Sequence, residues 1–253
     1  MNSLKSFVFA MGACIGLPTY LVAIRPYAVE RARQPVAYTP KDPSSPDSKG
    51  DDDAYKGLIY PASPAGSGKR GELVYAREGC AQCHTQVVRP DFVAIDRFKK
   101  YGGREQAYAK DQLVMVRQTH PWDYMNEDFA MIGLRRVGPD LANAGYRFEG
   151  SKIQRFYQHL YAPRSIHGWS NSPSYKHLFE VKEKESPVGR PDALALPANL
   201  LPEDSSLEII PSEDAVALGQ YIQSLKRAEP LPIKISGEGA EAPPVAAAPP
   251  ATK

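Results

Sequence analysis

The chain has 253 residues, 24 of them proline, and a formal net charge of +2. That length holds one ordinary domain with extensions, and the abundance of proline leaves much of the chain outside a packed core. A charge so close to zero implies neither a nucleic-acid partner nor a strongly acidic one.

Residues 6–24 carry no charge and are flanked by Lys5 and Arg25. A helix rising about 1.5 Å per residue spans roughly 28 Å over this stretch, close to the hydrocarbon thickness of a bilayer. The pattern predicts one transmembrane helix, with residues 1–34 as a membrane anchor. A cleaved signal peptide is the competing reading, but the apolar run continues through Ile24 into RPYAVERARQ without a small-x-small cleavage site. It also continues past Cys14, which speaks against lipoprotein processing there. Pro18 is placed to kink the helix, which membrane helices tolerate. Arg25, Arg31 and Arg33 follow the helix and only Lys5 and the amino terminus precede it, a weak charge bias toward a cytoplasmic C-terminus.

Residues 35–70 are rich in Pro, Ser, Gly and Asp, too polar to bury the apolar surface that would offset chain entropy, and they read as an extended or flexible tether. About thirty such residues span on the order of 30 Å between their ends. Residues 228–253 end in EAPPVAAAPPATK and read as a disordered Pro/Ala-rich tail. The folded domain is therefore expected over 71–227, mostly helix and loop, with no internal repeat and no sustained strand alternation. Within GELVYAREGCAQCH, the residues Leu73, Val74 and Ala81 fall at helix-compatible spacing. In PSEDAVALGQYIQSLK, Ser212 is the expected N-cap, acids fill the first turn, and Leu218, Tyr221, Ile222 and Leu225 form one apolar stripe.

The chemistry concentrates in Cys80-Ala81-Gln82-Cys83-His84. Haem carries vinyl groups on neighbouring pyrroles, and thiols three positions apart on one turn can each reach one and form a thioether. His84 follows directly and is placed to bind the iron as proximal ligand. A thioredoxin-like pair does not require that histidine. A zinc site built from two such pairs is excluded, because no cysteine follows Cys83. The pattern assigns one covalent haem c.

The run from Tyr75 through Cys80, Cys83, His84, Gln86, Arg89 and Pro90, then Arg97 and Tyr101-Gly102, resembles the monohaem subunit II of cbb3-type haem-copper oxidases. Arg136-Val-Gly138-Pro139-Asp140-Leu141, then His159-Leu160 and Pro163-Arg164-Ser165, follow in the order that family shows. The resemblance implies a mainly α, class I cytochrome c-like domain, in which an N-terminal haem-attachment helix crosses a C-terminal one, carried on a single transmembrane helix. It implies electron relay from a donor cytochrome to the catalytic haem-copper subunit, beside other oxidase subunits, with oxygen reduced there and not here. It places the protein in a bacterial cytoplasmic membrane with the haem domain outside, because haem is attached outside. That outweighs the charge bias at the anchor.

One stretch departs from the family. Where its pattern reads Ser-Asn-Met-Pro, with the Met sulfur as distal ligand, this chain reads Ser170-Asn171-Ser172-Pro173, and serine binds haem iron poorly. His167, in the same loop, is the favoured replacement; His177 and Met131 are the others. A histidine ligand would lower the reduction potential relative to Met. His159 is expected to pack or bond at a haem edge, and His120 to sit in a loop. Arg89, Arg135, Arg136 and Arg164 are considered for the haem propionates, and Pro139 for the haem pocket. Arg97, Lys99, Lys100 and Arg104 form a basic cluster that either faces an acidic partner or is simply solvated. Two alternatives to oxidase relay stand: a free membrane-tethered shuttle, and a ligand-binding sensor or peroxidase with an open distal position.

Overall fold

The computed structural model describes residues 2–39, 55–62, 66–90, 92–94, 96, 108–109, 112–113, 116–125, 127–186 and 188–236. Arg97, Lys99, Lys100, Arg104, most of the tether and residues 237–253 lie outside the described residues. The chain divides into two units, Met1–Tyr60 and Pro61–Lys253.

The first unit begins with α1 (Asn2–Thr19), which widens into a π-turn over Tyr20–Ile24 and continues as α2 (Arg25–Arg31). The span Ser3–Val29 is long and apolar enough to cross a membrane. The π-turn lies between Pro18 and Pro26. Each proline lacks an N–H and presses its ring toward a carbonyl one turn back, and a wider turn relieves that crowding. Thr19 Oγ1 donates to Ile15 O at 2.7 Å. Beyond the helix, part of the expected tether is ordered. β1 (Val36–Ala37) pairs antiparallel with β2 (Ile59–Tyr60). Tyr38 stacks on Tyr55 with ring centroids 5.0 Å apart and meets Tyr60 edge-on. The segment's bulk composition hides these three tyrosines, which supply the apolar surface it otherwise lacks.

The second unit is mainly helical. α3 (Ser67–Arg77) packs on α7 (Glu213–Ser224). Between them come a short ribbon β3/β4 (Tyr108–Ala109 with Gln112–Leu113), the short helix α4 (Ala144–Arg147), α5 (Ile153–Tyr161) and α6 (Pro163–Ile166). They are followed by the ribbon β5/β6 (Phe179–Glu183 with Leu207–Pro211), and α8 (Ile233–Ser236) comes after α7. The β5/β6 ribbon escapes a search for alternation because β5 is mostly exposed and β6 mostly buried, so neither strand alternates.

The α3–α7 crossing is close because Gly71 allows it: a Cβ there would lie 2.0 Å from Ala217 O. Tyr75 and Tyr221 meet beside it at 5.3 Å. Ser212 caps α7 as expected, its Oγ accepting from Ala215 N at 3.3 Å. Leu218, Tyr221, Ile222 and Leu225 are buried, joining Val74, Phe156, Leu160 and Ile209 in one core. Asp214 in the first turn of α7 pairs with both Arg70 and Arg77 of α3. The buried face of α3 is Gly68, Gly71, Glu72, Val74 and Tyr75. Leu73 lies in the helix at the expected spacing, on its exposed side. The fold also runs past 227. Arg117 Nε donates to Glu229 O, and Pro232 is buried ahead of α8.

Candidate functional site

α3 ends at Arg77, and Gly79 turns the chain with a φ of 70°, the left-handed geometry that favours glycine at a helix C-terminus. The next residues close a tight turn in which Cys80 O accepts from Cys83 N at 3.2 Å and His84 N at 3.0 Å. Cys80 and Cys83 thus stand on one turn, and they are not joined in a disulfide. Burial pushes the Cys80 thiol up to about 12, with Glu78 adding to the effect.

His84 is fixed from the opposite strand of chain. Its Nδ1 lies 2.8 Å from Pro139 O. A carbonyl only accepts, so Nδ1 carries the proton and Nε2 keeps its lone pair. The ring rests against Gly138, where a Cβ would come within 2.2 Å of His84 Cε1. Burial lowers the His84 pKa, the Pro139 carbonyl opposes that, and nearby Arg147 adds to it. The ring stays neutral, as a metal ligand must. Two thiols and one oriented imidazole lone pair within five residues fit what haem attachment requires, and the glycine cradle supplies the room. Among the described residues no cluster of three or more His, Cys, Asp or Glu side chains offers a site for a bare metal ion.

Residues 85–87 are clamped to 132–141. Gln86 N donates to Ile132 O at 2.9 Å, Leu141 N to Thr85 O at 2.7 Å and Gly138 N to Cys83 O at 3.0 Å. Asp140 is buried and accepts from Thr85 Oγ1 at 2.5 Å, Val87 N at 2.9 Å and Ala142 N at 2.8 Å. Burial still raises its pKa against these bonds. Arg136 donates to Thr85 Oγ1, Val87 O, Asp140 and Asp96. Arg89 grips Asp96 with both Nε (2.8 Å) and a terminal nitrogen (3.0 Å). Burial alone would push the Asp96 carboxyl up, but the two guanidiniums overcome it and hold it well below the usual carboxylate range. Arg89 thus pairs with Asp96, and Arg136 with Asp96 and Asp140. Arg135 is exposed, and Arg164 Nε reaches Ser170 O at 3.4 Å.

The other candidates fall at different places. His167 is exposed and stacks on the exposed Trp169 at 5.2 Å. His177 is exposed and bonds to Glu78 Oε2 at 2.9 Å. Met131 is partly buried against the core. His120 caps the turn Pro121–Tyr124, accepting from Trp122 N. His159 is partly buried on α5, its Nε2 3.2 Å from Ser172 Oγ. Burial, with the charges of His84 and His167 adding to it, lowers its pKa to about 4.

Sequence reasoning missed a buried polar group behind the haem segment. Gln86 Nε2 donates to Tyr221 OH at 3.1 Å, and Arg227 donates to Gln86 Oε1 at 3.0 Å. Arg227 also pairs with Glu127 and lies 4.2 Å from the Tyr124 ring centroid. A lone arginine after a helix carries no signal of such burial. Residues 65–191 match the family described as Cytochrome C oxidase, mono-heme subunit/FixO. No curated protein matches the chain.

Proposed function

The chain belongs to the FixO family, the mono-haem subunits of cytochrome c oxidase, and on that premise we propose that it is a membrane-anchored c-type cytochrome relaying electrons within a cbb3-type oxidase. The observation that carries the reading is the closed Cys80–His84 turn with His84 Nδ1 held by Pro139 O. Cys80 and Cys83 are the thioether positions, and His84 Nε2 is the proximal donor. Haem, when bound, supplies a one-electron couple. The Pro139 carbonyl fixes the ring and raises its basicity as a ligand, and Gly138 gives the imidazole room. The Thr85–Asp140–Arg136–Asp96 network holds the backbone on either side of His84, so that electron transfer meets little rearrangement. The α3–α7 crossing supports a class I cytochrome c-like domain. The single helix over Ser3–Val29 is the anchor, and the haem domain stands on the outer face of a bacterial cytoplasmic membrane. Electrons enter from a donor cytochrome and leave to the catalytic haem-copper subunit.

The test is purification of the tagged full chain from its own membranes in mild detergent. The expected result is a complex containing a polytopic haem-copper subunit, with the haem c of this chain reduced by donor cytochrome and reoxidised when oxygen is admitted. Recovery of the chain alone, with haem that oxygen does not reoxidise, overturns the oxidase assignment.

A further inference from the structure

The segment bonded to the Cys80–His84 turn presents apolar side chains to solvent. Leu134 N donates to Ala81 O at 2.9 Å, Gln86 N to Ile132 O at 2.9 Å and Gly138 N to Cys83 O at 3.0 Å, so residues 132–138 lie along the backbone of 81–86. Gly133, at a φ of 85°, packs so closely that a Cβ there would come within 2.2 Å of His84 O. These bonds use backbone groups. Phe129, Ile132, Leu134 and Val137 are exposed, Leu134 to 80 % and Phe129 to 75 %. Four such side chains within nine residues of one clamped segment differ from the single exposed apolar residues that any surface carries.

Residues 129–137 read Phe-Ala-Met-Ile-Gly-Leu-Arg-Arg-Val, without an acid or a lysine. That is the composition of the centre of a protein interface and not of its polar rim. Arg136 is bonded to Thr85, Val87, Asp96 and Asp140. Arg135 is exposed and makes no ion pair among the described residues, and Asp128, just before the segment, faces Lys69 at 3.1 Å.

Resting on the oxidase reading above, we propose that this face is where a permanently bound oxidase subunit docks, through an apolar surface that carries a carboxylate opposite Arg135. A rigid apolar face suits a lasting contact, whereas a donor cytochrome that must leave after each electron meets its partner through a small contact steered by charge. The lone guanidinium selects an anion within that apolar contact. Ala81 and Cys83, to which the segment is bonded, lie within the haem-attachment run, so a protein seated on 129–137 brings its own redox centre beside haem c. A lipid surface there would set an insulating layer against it.

The experiment uses the tagged full chain, purified from its own membranes in mild detergent, as wild type, Leu134→Glu with Val137→Glu, Arg135→Glu, and Val181→Glu. Val181 is an exposed apolar residue of β5 and serves as control. Covalent haem with an unchanged absorption spectrum shows that each variant has folded. Recovery of the polytopic subunit is expected to fall about tenfold or more in the double variant, which would bury two unpaired carboxylates. A smaller fall is expected in Arg135→Glu and none in Val181→Glu. Full recovery with the double variant, or an equal fall with Val181→Glu, overturns the docking face while the oxidase reading stands. A wild type that brings down no polytopic subunit overturns that reading and the docking with it. Replacing Leu134 by the photo-crosslinking residue benzoylphenylalanine tests the same face without adding charge. The expected adduct is with a subunit of the purified oxidase complex; an adduct only with lipid, only with a soluble donor cytochrome, or none at all overturns the proposal.

Discussion

The segment behind His84 and the loop facing His159 are built differently. Residues 83–87 are tied to 132–141 by backbone bonds, by the buried Asp140 carboxylate, and by an arginine that touches Thr85, Val87 and Asp96. Residues 167–175 are mostly exposed, with Ser170 buried among them, and are held by bonds to the end of α5. The first arrangement fixes one imidazole whatever occupies the other side. The second can change a residue without disturbing the scaffold.

The contrast breaks most visibly at Asp140. Asp140→Ala strands Arg136, Thr85 and two backbone N–H groups, and is expected to cost about 3–5 kcal/mol, as removal of one partner of a buried ion pair does. Urea unfolding measures it, and a loss below about 1 kcal/mol would mean that the network is not what holds the segment. Gly138→Ala drives a Cβ toward the His84 ring. It is expected to cost about 1–3 kcal/mol and to perturb the haem absorption; an unchanged spectrum would contradict the cradle. A smaller effect is expected in acid. Asp96 has a folded pKa below its unfolded one, so its contribution is complete above the ordinary carboxylate value of about 4 and is lost as pH falls below it. Asp140, with its pKa raised, acts in the opposite sense. Asp96→Asn should therefore be less stable at neutral pH and flatten the decline in melting temperature below pH 4; a variant as acid-sensitive as wild type would show that Asp96 is not the group titrating. Smallest is Ser172→Ala in the loop facing His159, which removes one part-buried hydrogen bond and is expected to cost about 1 kcal/mol. A loss as large as that of Asp140→Ala would erase the distinction between the two sides.

Much of this was legible in the sequence. Cys80, Cys83 and His84 declare themselves because thioether spacing admits few alternatives, and α7 because Ser212, its acids and its apolar stripe agree with one another. The network of Arg89 and Arg136 was not legible, since Asp96 joins it to Arg136 across 40 residues of chain and aspartates usually read as solvated. Nor was the His159–Ser172 meeting, which depends on how the loop folds back on α5. The ribbon of β1 and β2 with Tyr38, Tyr55 and Tyr60 was hidden by polar neighbours.

The central claim is that this chain carries a single haem on Cys80 and Cys83. The most direct measurement is acid-acetone extraction of the full chain, purified from a host that attaches haem c, followed by a reduced pyridine haemochrome spectrum and the intact mass of the protein. The account predicts that haem stays with the polypeptide at one per chain, and that Cys80→Ser and Cys83→Ser together release it. Haem that extracts freely from the wild type, or that stays bound after both substitutions, would contradict it.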